Sequence, residues 1–208
     1  MVDKLLRGPK EQALAPVALH LLRRIHPTTI TLLAFGVGGA AALAIWQQQY
    51  MLGLGLWLLN RVLDGLDGTL ARITNQQTDF GGYLDILLDT VMYAAIPTAL
   101  AFSVGTTAAY QSLVLLLIAF YLNCASWMYV AALLEQRRAG AATSGELTTI
   151  TMPSGLMEGA ETIGFFVLFM LFPSAIVPLF ITMALLAFAT VGQRLIWAAR
   201  ALAGPSSG

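Results

Sequence analysis

Asp64 and Asp67 are three residues apart, and Asp85 and Asp89 are four apart, in stretches otherwise rich in Leu, Ile, Gly, Ala and Thr. These spacings put the members of each pair on one face of a helix. An ionisable side chain in so apolar a setting is costly unless it is paired, hydrated or bound to a cation. Four carboxylates brought together in a medium of low dielectric repel strongly, and divalent cations would relieve that repulsion. Oxygen ligands without Cys or His suit a hard ion such as Mg²⁺ or Mn²⁺, and magnesium combines few carboxylates with substrate phosphate oxygens. The expected chemistry is metal-assisted reaction at a diphosphate.

Small residues flank the acids. Gly65, Gly68 and Ala71 lie beside Asp64 and Asp67, and Gly81 and Gly82 open the next helix. Glycine weakens a helix, so its presence is explained by close approach of a ligand or of another backbone. Tight packing of membrane helices through small residues would explain the glycines alone. Beside four acids, a nucleotide pocket explains them better.

The elements that carry these residues are membrane helices. The chain of 208 residues is 58% hydrophobic and 11% charged, with a mean hydropathy of +0.75, outside the usage of soluble domains. No charge falls between Arg24 and Arg61, between Asp89 and Glu135, or between Glu161 and Arg194. Each stretch is long enough for more than one span of roughly 20 residues. The expected fold is an all-α integral membrane protein. Six transmembrane helices, starting near Ile30, Met51, Gly82, Ala109, Ser154 and Ser174, follow an N-terminal amphipathic interfacial helix over residues 10–25. Residues 1–27 form the juxtamembrane segment, 28–200 the six-helix domain and 201–208 a disordered tail. The Pro27-Thr-Thr sequence offers capping hydroxyls for the first span.

Basic residues fall in alternate connections, with Arg23, Arg24, Arg61, Arg72, Arg137, Arg138, Arg194 and Arg200 on one side. The connections near Gln48, Gly105 and Pro173 carry no charge. The positive-inside rule places both termini, and with them the acidic site, on the cytoplasmic side, as in a bacterial inner membrane. Cys124 is the single cysteine, too few for a disulfide framework or a thiolate metal site. No nucleic-acid footprint is present.

Read continuously, Asp64-Gly-Leu-Asp67-Gly68-Thr-Leu-Ala71-Arg72, then eight residues, Gly81, three residues, Asp85, three residues and Asp89 resembles the signature of the CDP-alcohol phosphotransferase family, with every fixed position filled. The resemblance implies that Asp64, Asp67 and Asp85 are metal ligands, and that Asp89 both approaches the metal centre and serves as general base. It implies that Gly68, Ala71 and Gly81, together with Asp64, shape the cytidine diphosphate site, with Arg72 near the diphosphate. It also implies a homodimer. Four acids suit two Mg²⁺ or Mn²⁺ ions, which would neutralise the diphosphate and polarise the attacked phosphorus while CMP departs. The expected donor is CDP-diacylglycerol and the expected acceptor a small polar alcohol, a polyol phosphate ahead of serine. The alternatives are transfer of a CDP-amino alcohol to diacylglycerol and, in a different class, a small cation transporter.

The acceptor site is sought elsewhere. Glu158 and Glu161 are three apart at the start of the fifth helix, placed either to orient an acceptor or to pair with Arg137, Arg138 or Arg194. Arg61, Arg137 and Arg138 serve topology or lipid headgroups, or else fork onto an acceptor phosphate.

Overall fold

The computed structural model describes residues 25–136 and 155–203, and its described elements are all helical. In chain order they are α1 (Pro27–Trp46), α2 (Tyr50–Ile73), α3 (Asp79–Val104), α4 (Thr107–Gln136), α5 (Gly159–Leu171), a 3₁₀ turn (Pro173–Ala175) and α6 (Ile176–Ala201). The amphipathic helix expected over 10–25 lies outside the described residues but for Ile25, as do the tail from 204 onward, Arg137 and Arg138.

Local sequence explains the ends. Pro27 occupies the first turn of α1, where its missing N–H costs nothing. The cap is the His26 side chain, whose Nδ1 accepts from the Thr28 N–H at 3.3 Å. The expected capping hydroxyls of Thr28 and Thr29 are not used, because the helix begins before them. Left-handed Gln48 (φ 63°) and Asn75 (φ 54°) turn the chain at the two ends of α2. Thr78 caps α3 by accepting the Gly81 N–H at 3.0 Å. Gly105 (φ 69°) closes that helix in the left-handed conformation that glycine adopts without strain.

Four segments are long and apolar enough to cross a membrane: α1, α3, α4, and the 3₁₀ turn with α6. The chain is a multi-pass integral membrane protein. Six α-helices lie among the described residues, and the spans expected near Met51 and Ser154 correspond to two that fall outside these four. Helix α2 has 24 residues and carries Arg61, Asp64, Asp67 and Arg72, so its apolarity is broken by the chemistry it holds. Helix α5 has 13 residues, about 20 Å at the usual rise, against a hydrocarbon core of about 30 Å.

The core is aromatic where α2, α5 and α6 meet. Trp57 packs on Phe166 with ring centres 5.0 Å apart, Phe166 on Phe169 at 5.5 Å, and Phe169 edge-on to Phe180 at 4.9 Å. Such offset and T-shaped contacts follow the ring quadrupoles. Helix α1 packs chiefly on α2 and α3, and α4 on α6. Gly38 permits the first of these: a Cβ there would fall on Met92 Sδ and 3.1 Å from Asn60 Nδ2. Arg194 of α6 ties onto α4, its Nη1 donating to Asn123 Oδ1 at 2.7 Å. At the end of α2 remote from the aspartates, Gln48 Nε2 donates to the Ser103 carbonyl (2.9 Å), and the Tyr50 hydroxyl lies 3.2 Å from Ser103 Oγ.

Candidate active site

Helices α2 and α3 bring the acids to one cleft. Asp64, Asp85 and Asp89 line it with Thr31, Asn60 and Arg61, and α1 supplies part of an apolar wall. Asp64 and Asp89 are half-buried. Asp67 stands apart from the lining set, with 4% exposure. Its Oδ1 accepts the Gly68 N–H; the Thr31 side chain lies near the carboxyl, but Oδ2 makes no hydrogen bond of ordinary geometry. A buried carboxylate oxygen without a partner is an expensive arrangement.

Arg61 crosses the cleft. Its Nη2 donates to Asp89 Oδ1 at 2.6 Å, its Nη1 lies 3.6 Å from Asp64 Oδ2, and its Nε donates to Asn60 Oδ1 at 2.8 Å. Asn60 is held in turn, its Nδ2 donating to the Ala34 carbonyl at 2.7 Å. The guanidinium lies 4.5 Å from the Trp57 ring centre and 5.9 Å from that of Tyr93. Arg61 is 8% exposed, so it is neither a topology marker in a loop nor a headgroup contact. Its i,i+3 spacing to Asp64 was a legible signal; its bond to Asp89, a helix away, was not.

Among the described residues, no three His, Cys, Asp or Glu side chains are drawn close enough to hold one ion between them as they stand. The donor set nevertheless fits a hard divalent cation: all its ligating atoms are carboxylate oxygens, and Asp67 Oδ2 is a buried acceptor awaiting a donor or a cation.

The small residues leave room. Nothing closer than Arg72 Nη1, at 3.4 Å, would meet a Cβ at Gly68. Gly68, Ala71, Arg72 and Gly81 are all half-buried. Arg72 Nη2 lies 3.4 Å from Thr69 Oγ1. One turn of α2 thus presents backbone, methyl and guanidinium beside Asp64 and Asp67.

Glu158 and Glu161 lie at the start of α5, where they form a capping box. Glu158 Oε1 also accepts the Gly155 N–H at 3.0 Å, and Glu161 Oε2 accepts the Glu158 N–H at 3.2 Å. Met157 N–H donates to Thr190 Oγ1 (2.9 Å), and Leu156 N–H to Gln193 Oε1 (3.0 Å). Both carboxylates therefore have a structural task, and the segment that bears them is laced onto α6.

The chain belongs to the CDP-alcohol phosphatidyltransferase family, whose model matches residues 24–203. It is a transferase of that family, which sets the cation-transporter alternative aside. The chain is 38% identical over 153 residues to Inner membrane protein YnjF of Escherichia coli strain K12, covering 72% of this chain and 71% of that one. Its fold is similar to that of phosphatidylinositol phosphate synthase (PgsA1) of Mycobacterium tuberculosis solved with CDP-DAG bound. That likeness has a TM-score of 0.65 and 22% identity over 90% of this chain and 94% of that one. A second structure of that enzyme, in complex with manganese and citrate, matches with a TM-score of 0.62 and 22% identity over 89% and 88% of the two chains.

Proposed function

We propose that this protein transfers a phosphatidyl group from CDP-diacylglycerol to the hydroxyl of a small polar alcohol, a polyol phosphate first among the candidates, with release of CMP. The observation that carries the reading is the buried Asp67 carboxylate with its partnerless Oδ2, beside a cleft lined by Asp64, Asp85 and Asp89. The CDP-DAG bound in the PgsA1 structure, and the phosphatidylinositol phosphate that this enzyme is named for making, support the choice of donor and acceptor.

Asp64, Asp67, Asp85 and Asp89 would hold the divalent metal, two ions of Mg²⁺ or Mn²⁺, which would supply positive charge to offset that of the diphosphate. Asp89 takes the acceptor hydroxyl proton as general base. Gly68, Ala71 and Gly81 admit the nucleotide against the helix backbone, and Arg72 faces the diphosphate. The acceptor is met by Arg137, Arg138, Glu158 and Glu161, the glutamates keeping their capping bonds. The site opens to the cytoplasm, where both termini lie, so acyl chains stay in hydrocarbon while the nucleotide stays in water. The protein works as a homodimer.

The test is CMP release by the purified protein in detergent with CDP-diacylglycerol, Mn²⁺ or Mg²⁺, and a panel of glycerol 3-phosphate, inositol 1-phosphate, serine and inositol, with products identified by mass spectrometry. Transfer to one acceptor, abolished by a chelator and restored by the metal, is expected. Lipid product formed only from diacylglycerol and a CDP-amino alcohol would reverse the assignment of donor.

A further inference from the structure

Arg61 has its donors turned inward. Of its nitrogens, Nε is committed to Asn60 and Nη2 to Asp89, and Nη1 faces Asp64. The flat face of the guanidinium is covered by Trp57. Behind this stands a chain of supports: Asn60 is fixed to the α1 backbone at Ala34, while Trp57 and Tyr93 both pack on Phe166, with ring centres at 5.0 and 6.0 Å. An arginine built to grip a substrate phosphate would offer its fork outward. This one is locked by α1, α2, α3 and α5 before any substrate arrives.

We propose that Arg61 is the positioning residue of Asp89: its buried guanidinium fixes Asp89 Oδ1, and with it the orientation of the carboxylate that receives the acceptor proton. The bond is charge-assisted and short, the type that sets side-chain geometry most firmly. A stacked, planar guanidinium loses little freedom in making it, which is the advantage of Arg over Lys at such a place. The same cation offsets one of four negative charges without leaving the wall of the site. Partners that orient a metal-binding carboxylate in this way typically matter about 10- to 100-fold in metal affinity or activity.

The inference rests on the reading of Asp89 as the base, and its test has two arms. In the kinetic arm, Arg61→Gln, Arg61→Lys and Asn60→Ala are assayed for CMP release from CDP-diacylglycerol with the acceptor that the unaltered protein uses. Arg61→Gln is expected to lower kcat about 10- to 100-fold with the KM of the donor little changed. Arg61→Lys should recover part of the loss, and Asn60→Ala, which keeps the charge but removes the Nε support, should lose less than Arg61→Gln. In the binding arm, Mn²⁺ affinity is measured by electron paramagnetic resonance without substrate. Weaker binding by Arg61→Gln, with Arg61→Lys close to the unaltered protein, is expected.

An unchanged kcat, or a rise in KM alone, would overturn the proposal. So would tighter Mn²⁺ binding by Arg61→Gln, since the guanidinium would then only compete with the metal. If Arg61→Gln does not fold, Arg61→Lys and Asn60→Ala decide by the same signs. If the unaltered protein binds Mn²⁺ but releases no CMP with any acceptor, the functional reading fails and the binding arm still judges Arg61.

Discussion

The Gly68 N–H donates to Asp67 Oδ1 from the next residue along the helix, while Asp67 Oδ2, in the same carboxylate, has no partner. One half of the group is thus fixed by the chain and the other half is unanswered. In the absence of metal this is a net cost to the folded state.

Asp67→Asn should therefore raise the stability of the metal-free protein, because it removes a buried charge while keeping the side chain's shape. The same change should abolish transfer and remove the stabilisation that Mn²⁺ gives. Thermal unfolding in detergent with and without Mn²⁺ reads both effects. A variant stabilised by Mn²⁺ as strongly as the unaltered protein would show that Asp67 is not a ligand.

Asp89→Asn should fold and still bind the donor, but lose about 10²- to 10⁴-fold in kcat, the usual contribution of a positioned base. Arg61 retains Asn60, Trp57 and Asp64 in this variant, so its burial is still supported. CMP release at saturating donor and acceptor, beside a donor-binding measurement, separates lost chemistry from lost binding. Near-normal turnover would remove Asp89 from the role of base.

Thr190→Val and Thr190→Ser should differ in stability. Thr190 is fully buried, and its Oγ1 accepts the Met157 N–H. Valine leaves that N–H without an acceptor, at a cost of about 1–3 kcal/mol. Serine keeps the acceptor and loses only the methyl that a Cβ on Gly155 would strike. Unfolding midpoints of the two proteins should place valine below serine.

Gly38→Ala should damage the site from a distance. The added methyl would meet Met92 Sδ, at the end of a flexible side chain, and Asn60 Nδ2, which is anchored on Ala34. Methionine can move aside; the amide cannot without loosening Arg61. A stability loss of about 1–3 kcal/mol, typical of overpacking, should accompany a several-fold fall in kcat. Gly36, where a Cβ would meet nothing within 4 Å, is the control: Gly36→Ala should leave kcat unaltered and raise stability by about 0.5–1 kcal/mol through helix propensity.

The helices and the acidic motif could be read from sequence because both are periodic and local. The expected spans beginning near Met51 and Ala109 match α2, from Tyr50, and α4, from Thr107, since apolar runs and uncharged turns mark those boundaries directly. The shortness of α5 was hidden: Ser154 to Phe172 is continuously permissive of helix, and only the capping box of Glu158 and Glu161 fixes the start at Gly159. The two glutamates showed their shared face in the sequence, but the laces from residues 155–157 to Glu158, Thr190 and Gln193 depend on where α6 packs. Arg61 was the largest misreading, placed at the surface or on an acceptor phosphate when it is buried against Asp89. Its bond to Asp89 joins residues 28 apart, and a sequence pattern carries no information on which of several arginines turns inward. Trp57 was equally silent, because a tryptophan that stacks on a buried cation looks in sequence like any other apolar position.

The double fastening of Gln48 and Tyr50 onto Ser103 makes a closed frame of α2 and α3. Side chains tie the two helices at the end remote from the aspartates, residues 74–78 join them through the chain at the other, and Arg61 braces them between, onto Asp89. A frame pinned at both ends and braced across resists hinging, so the separation of Asp64 from Asp85 is a property of the fold and not of what enters the cleft.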